Sequence, residues 1–163
     1  MSERIEKIME NYSQIVMECK CIENQINSFK GITEDDAIEF MYFSQPDSER
    51  IQTNAISNKT ATIAITYKEK REQINREWME HLCKRYSVLS EQLLFFQSAV
   101  LSLSGILPDF IKDMVIASVT WDSLAEKYHI SRTMVAKNRK KAIKELEILY
   151  SLYDKELEEY ILS

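Results

Sequence analysis

Between Ile74 and Leu103 the apolar residues Ile74, Trp78, Leu82, Tyr86, Leu89, Leu93, Phe96, Val100 and Leu103 recur in steps of three and four. That period is helical, because 3.6 residues complete a turn and residues so spaced share a face. A second seam of the same kind, Ile5, Ile8, Tyr12, Ile15, Cys19, Ile22, Ile26 and Phe29, runs through the start of the chain. A helix with one apolar stripe cannot shield it alone, so each seam needs a partner. Together they predict an all-α fold whose first part is a long, coiled-coil-like helical hairpin. A homodimer through the long helices would complete it as a bundle. Two Gly and two Pro in 163 residues leave few places to interrupt such helices.

The punctuation that does occur sets the boundaries. Lys30-Gly31 ends the first helix, predicted over Ser2 to Phe29, and Thr33 can cap a short second one, TEDDAIEFMYF. Ser44 to Ser48 is turn chemistry. Glu49 to Lys59 has little periodicity and reads as an irregular connection with room for one turn of helix, and no role follows for 44–59. Ala61 to Tyr67 alternates apolar and polar residues as a strand would. An isolated strand is not stable, so this stretch reads as the opening of the long third helix. Ser104 to Pro108 breaks that helix. The predicted organisation is a scaffold over 1–104, a small three-helix domain over 105–150 and an acidic tail over 151–163, read as a frayed helix in preference to a segment that folds against the basic face when DNA is absent. In the small domain, Asp109 to Val119 would lead, with Phe110, Met114, Val115 and Ala117 covering the helices that follow.

Those helices carry the functional signal. Thr120 is a suitable N-cap, and Asp122 stands in the first turn, where a carboxylate favours the helix dipole. Trp121, Leu124, Ala125 and Tyr128 then share one face. His129 and Ile130 stop this helix, and Ser131 can cap the next. Ala125 is small where the two would cross, and Ile130, Val135, Ala142, Leu146 and Leu149 continue the buried stripe. The second helix presents Arg132, Thr133, Ala136, Lys137 and Lys140 on its other face, with Arg139, Lys141 and Lys144 beside them. From Tyr128 to Lys144 there are six Lys+Arg and no acid, in a chain whose net charge is −5. Such a basic helix following a tight turn is how helix-turn-helix modules enter the major groove of double-stranded DNA. In that reading Arg132, Thr133, Ala136, Lys137 and Lys140 approach bases, whereas Ser131, Arg139, Lys141 and Lys144 hold phosphates.

The same stretch resembles region 4 of sigma-70-type RNA polymerase sigma factors through Leu124-Ala125, Ile130-Ser131, Thr133 to Val135, Ala142 and Leu146. More narrowly, it resembles the phage and mobile-element regulators that carry only this module behind helical segments, the ArpU- and RinA-like late-gene group. DSERIQTNAISNKTATIAI, Asp47 to Ile65, is similar to a piece of that group. The C-terminal match covers about a quarter of the chain. His129 stands where the turn usually has Gly, and Asn138 where an aliphatic residue often packs. The resemblance implies a transcription regulator acting near the −35 side of a promoter, with RNA polymerase as a further partner. It lacks the promoter-melting region of a full sigma factor.

Other classes find little support. Nothing resembles a phosphate-binding Gly-rich loop. His81 and His129 lie on different elements, and no base, nucleophile and orienting group converge, so no catalytic residue and no enzyme activity is expected. Cys19, Cys21 and Cys83 lack the spacing of a zinc site, so no metal and no cofactor is expected. Trp78 and Trp121 sit at seam positions and read as core. The N-terminal SERIEKIMENYSQ is unlike a signal peptide and no run is long enough to span a bilayer, so a cytoplasmic protein without membrane contact is expected. Two alternatives remain open at this level. One is a DNA-packaging subunit of the small-terminase kind, and the other is a coiled-coil interaction protein whose sigma-like head binds polymerase.

Overall fold

The computed structural model describes residues 2–44 and 55–163, and all regular structure among them is helical. The elements are α1 (Ser2–Asn27), α2 (Glu34–Ser44), α3 (Ala55–Leu101), α4 (Leu107–Ile111), a π-helical turn (Lys112–Ile116), α5 (Trp121–Lys127) and α6 (Arg132–Leu162). The expected turn at Ser44 to Ser48 and the irregular connection from Glu49 lie largely outside the described residues. Where the latter is described it is helical: α3 already runs from Ala55, before the predicted opening at Ala61.

Two compact units divide the chain, Met1–Cys21 with Val88–Ser163, and Ile22–Ser87. This grouping differs from a scaffold followed by a separate head. The first three-quarters or so of α1 and the end of α3 belong with the C-terminal helices.

In the first unit, Ile5, Ile8, Met9 and Tyr12 of α1 meet Phe96, Ala99, Val100 and Leu103 in one core. Leu107, Phe110 and Ile111 of α4, Val115, Leu124 of α5, and Val135, Ala142, Ile143, Leu146 and Tyr150 of α6 complete it. Tyr12 joins both kinds of contact, its ring 5.6 Å from Phe96 and its hydroxyl accepting from Gln97 Nε2 at 2.7 Å. Full burial of side chains such as Phe96, Phe110 and Leu146 favours folding by about 1.5–3 kcal/mol each, which makes this cluster the main stabilising feature.

The expected leading helix over Asp109 to Val119 takes another form. Pro108 lies in the first turn of α4, as predicted, but the helix then widens. The Ala117 N–H reaches Lys112 O at 2.9 Å and the Val119 N–H reaches Asp113 O at 2.9 Å. Ser118 closes the turn with φ 54. Widening by one residue brings Phe110 and Val115, five apart, into the same core, while Ala117 is left exposed.

The second unit is sparser. Gly31 has φ 73, and a Cβ there would meet the Asn75 side chain at 2.6 Å, so any other residue would be strained and would displace Asn75. Asn75 Oδ1 accepts from the Ile32 N–H at 2.7 Å and anchors the connection to α3. Thr33 caps α2 reciprocally: its Oγ1 accepts from the Asp36 N–H, and Asp36 Oδ2 accepts from the Thr33 N–H at 3.0 Å. The Thr33 hydroxyl also donates to Asp36 Oδ2 at 2.7 Å, and that bond first, then the Thr33 N–H, holds the Asp36 carboxyl below its ordinary pKa. Ile22, Ala37, Ile63 and Leu82 are buried here. Trp78, expected in the core, is 49% exposed and stacks on His81. No described helix is long and apolar enough to cross a membrane.

Candidate nucleic-acid interface

The connection between α5 and α6 follows from local chemistry. Thr120 Oγ1 accepts from the Ser123 N–H at 3.3 Å and caps α5. At the other end the His129 N–H reaches Glu126 O and the Ile130 N–H reaches Ala125 O at 2.9 Å. Paired bonds of this form, around a residue in the left-handed region, make a Schellman closure. His129 is that residue, with φ 51, in a place glycine usually takes. Ser131 then caps α6, its Oγ accepting from the Met134 N–H at 3.2 Å. Three residues therefore separate the Tyr128 cap from α6, and both helix ends that meet there are capped.

Two polar locks hold this turn to its surroundings. Asp113, in the π turn, accepts from Tyr128 Oη at 2.6 Å and from Lys127 Nζ at 2.7 Å. These donors, Lys127's first, hold the Asp113 carboxyl below its usual range. Burial, together with the Asp113 charge, pushes the Tyr128 hydroxyl pKa well up, so the phenol stays a donor. The Tyr128 ring meets Phe110 edge-on at 5.4 Å. The second lock is Glu145, which accepts from the Ser104 N–H at 2.8 Å and Ser104 Oγ at 2.6 Å, and these bonds lower its pKa. It ties α6 to the end of α3.

Beneath the turn, Leu124 and Val135 are fully buried, and Ala125, Tyr128 and Ile130 are half-buried against the same core. Trp121, read as part of that face, is 37% exposed. Asn138 is half-buried.

The named basic residues do not all share one face. Ser131, Arg132, Thr133, Lys137, Lys140, Lys141 and Lys144 are exposed, and Ala136 is half-buried beside them. Arg139 turns the other way. Its side chain is 22% exposed and lies 4.0 Å from Glu6 and 3.9 Å from Glu10 of α1. Its neighbours explain this: Arg139 follows Val135 by four residues and precedes Ala142 and Ile143, so it sits on the packed side of α6. Two acids approach the open face, Asp122 Oδ1 at 3.5 Å from Arg132 Nη1 and Glu145 Oε1 at 4.0 Å from Lys141 Nζ. Arg132 opens α6, where a cation opposes the helix dipole, and α6 has no acid in its first turn, so Asp122 offsets that charge.

The reading of residues alone missed Asp113, Glu145 and the Arg139 contacts, because each joins elements far apart in sequence. The spacing of Asp113 from Lys127 and Tyr128 carries no local period. Among the described residues no group of three His, Cys, Asp or Glu is placed to hold a metal ion. Comparisons with protein-family models, curated proteins and solved structures give no match.

Proposed function

We propose that α5, the turn at His129 and α6 form a helix-turn-helix that binds double-stranded DNA, and that the protein is a sequence-specific transcription regulator of the phage or mobile-element kind. The observation that carries this reading is the open side of α6. Arg132, Lys137, Lys140, Lys141 and Lys144 project from a rigidly capped helix that has no acid before Glu145. Such a helix offers phosphate neutralisation along its length and side chains at its N-terminal end for base edges. Thr133 and Ala136 are short enough to allow close approach to the groove. Arg132 is best suited to guanine, which it can engage through two bonds. Arg139 drops out of the phosphate set, because its guanidinium is committed to α1. The sigma-like pattern extends the proposal to contact with RNA polymerase.

The test is selection from random-sequence duplex pools at two salt concentrations. An enriched motif whose binding weakens steeply with salt is the expected result. Lys144→Ala should weaken all duplexes alike and lower the salt slope by about one. Arg132→Ala should cost about 1–3 kcal/mol on the selected site and little on scrambled DNA. Salt-sensitive binding without enrichment would favour a packaging role. No binding at all would make the module a protein-docking surface.

A further inference from the structure

We propose that the outward stripe of α6 over Leu152 to Leu162 is the surface on which a second copy of this chain docks, antiparallel, to form a two-fold dimer. Ile148, Leu152, Lys155, Glu159 and Leu162 follow one another in steps of four, three, four and three, the spacing of a coiled-coil seam. All five are solvent-exposed, Ile148 by 62%, Leu152 by 56% and Leu162 by 86%. The stripe is not the side that packs in the core. Ile148 and Leu152 each lie two residues from buried Tyr150, which puts them about 160° around the helix from it. Single exposed aliphatics are ordinary on a protein surface, but three at seam spacing on one helix face are a pattern.

The charges inside the stripe name the occupant. When two copies of α6 run antiparallel about an axis level with Leu157, Leu152 meets the second copy's Leu162 and Lys155 meets the second copy's Glu159. The two-fold axis repeats both contacts. The register thus gives two apolar pairs and two opposite-charge pairs, with no like-charge pair inside the stripe. A parallel pairing would instead set Lys155 against Lys155 and Glu159 against Glu159. In the single chain Lys155 Nζ and Glu159 Oε1 lie 3.6 Å apart across one helical turn, so both side chains already occupy this face. In this register the shared stretch, Leu152 to Leu162, is about 15 Å long and Ile148 lies outside it, which places the contact among small, transient interfaces, and Glu156 and Glu158 flank it with like charge. The dimer therefore forms only at high protein concentration. This inference does not depend on DNA binding.

Sedimentation equilibrium of the full chain from micromolar to millimolar concentration tests it, with circular dichroism to confirm that each variant stays helical. The wild type should show a reversible monomer–dimer equilibrium, and Leu152→Asp should weaken it by about ten-fold or more. Lys155→Glu and Glu159→Lys should each weaken self-association. Mixing these two variants should restore it as a heterodimer, which no effect within a single helix can produce. A wild type that stays monomeric throughout overturns the proposal. So does a dimer indifferent to Leu152→Asp, or charge variants that do not recover on mixing.

Discussion

The two units are made from similar helices and differ in how their apolar residues are met. In the unit of Met1–Cys21 with Val88–Ser163, parts of five helices and the π turn converge, and nine large side chains are essentially inaccessible. In the unit of Ile22–Ser87, the described core is Ile22, Ala37, Ile63 and Leu82, while Phe40, Tyr42, Phe43, Ile65 and Trp78 are exposed. Amphipathic helices alone do not make a core. What makes one is convergence from several directions, which the short α4, π turn and α5 supply by turning the chain repeatedly. Stability should accordingly be unequal, with slow amide exchange in the first unit and faster exchange in the second.

The largest effect that could break this comparison is a cavity in the denser unit. Phe110→Ala should cost about 3–5 kcal/mol, because the surrounding helices leave little room to collapse. Trp121 lies in this unit and Trp78 in the other, so single-tryptophan variants report each separately in urea titrations. The Trp121 transition should move to lower urea with the Trp78 transition little changed. Equal movement of both would mean that the units unfold as one and that the contrast in packing has no thermodynamic counterpart.

Next in size is the Asp113 lock. Asp113→Ala removes the acceptor for two donors and should cost about 1–2 kcal/mol in chemical denaturation. The same lock sets an acid limit. Asp113 and Glu145 both have lowered pKa values in the folded chain. Their contribution is therefore full above the unfolded carboxylate pKa of about 4 and is lost as pH falls through the lower folded values. Melting temperature should drop below about pH 4, and Asp113→Asn should show a smaller drop than the wild type.

A smaller effect, of opposite sign, is expected at the turn. His129 holds a left-handed conformation that costs a side-chain-bearing residue about 1 kcal/mol, so His129→Gly should stabilise by about 0.5–1 kcal/mol and raise the melting temperature. Smallest of all is Tyr150→Phe. The Tyr150 hydroxyl is buried without a hydrogen-bond partner, and burial pushes its pKa up to about 12. Its ring packs edge-on against Phe95 at 4.7 Å and beneath the Arg4 guanidinium. Removing the oxygen alone should change stability by less than about 0.5 kcal/mol, or improve it. A loss of more than that would point to a bond through water.

Much of this was legible where the cause is local. The caps at Thr120, Thr33 and Ser131, the end of α3 and the left-handed His129 all follow from a few adjacent residues. Both long seams point to real burial, since Ile5, Ile8, Tyr12, Leu82, Leu89, Phe96 and Val100 are buried. The π turn was hidden because Phe110, Met114 and Val115 also suit an α-helix, and only the bonds at Ala117 and Val119 separate the two. Trp78 and Trp121 keep the period but lie where nothing covers them, which spacing cannot reveal. The side to which Arg139 turns depends on α1 lying beside α6. The tail over 151–163, read as a frayed helix on its acidity, remains helical to Leu162 because Tyr153 continues the stripe of Leu146 and Tyr150, and its hydroxyl donates to Glu91 at 3.2 Å. Arg4 adds a paired contact with Asp154 at 2.9 and 3.2 Å.

The unbroken length of α6 has a mechanical consequence. No Gly or Pro interrupts Arg132–Leu162, so the segment behaves as one rod. Leu146, packed in the core, sits near its midpoint, with Ser131 and Leu162 each roughly 23 Å away at a rise of 1.5 Å per residue. Leu146 is not a lone pivot, because Val135, Ala142, Ile143 and Tyr150 are buried as well, so the core grips the rod over about four turns. Arg132 at one end and Leu162 at the other are thereby held at a fixed separation of about 45 Å.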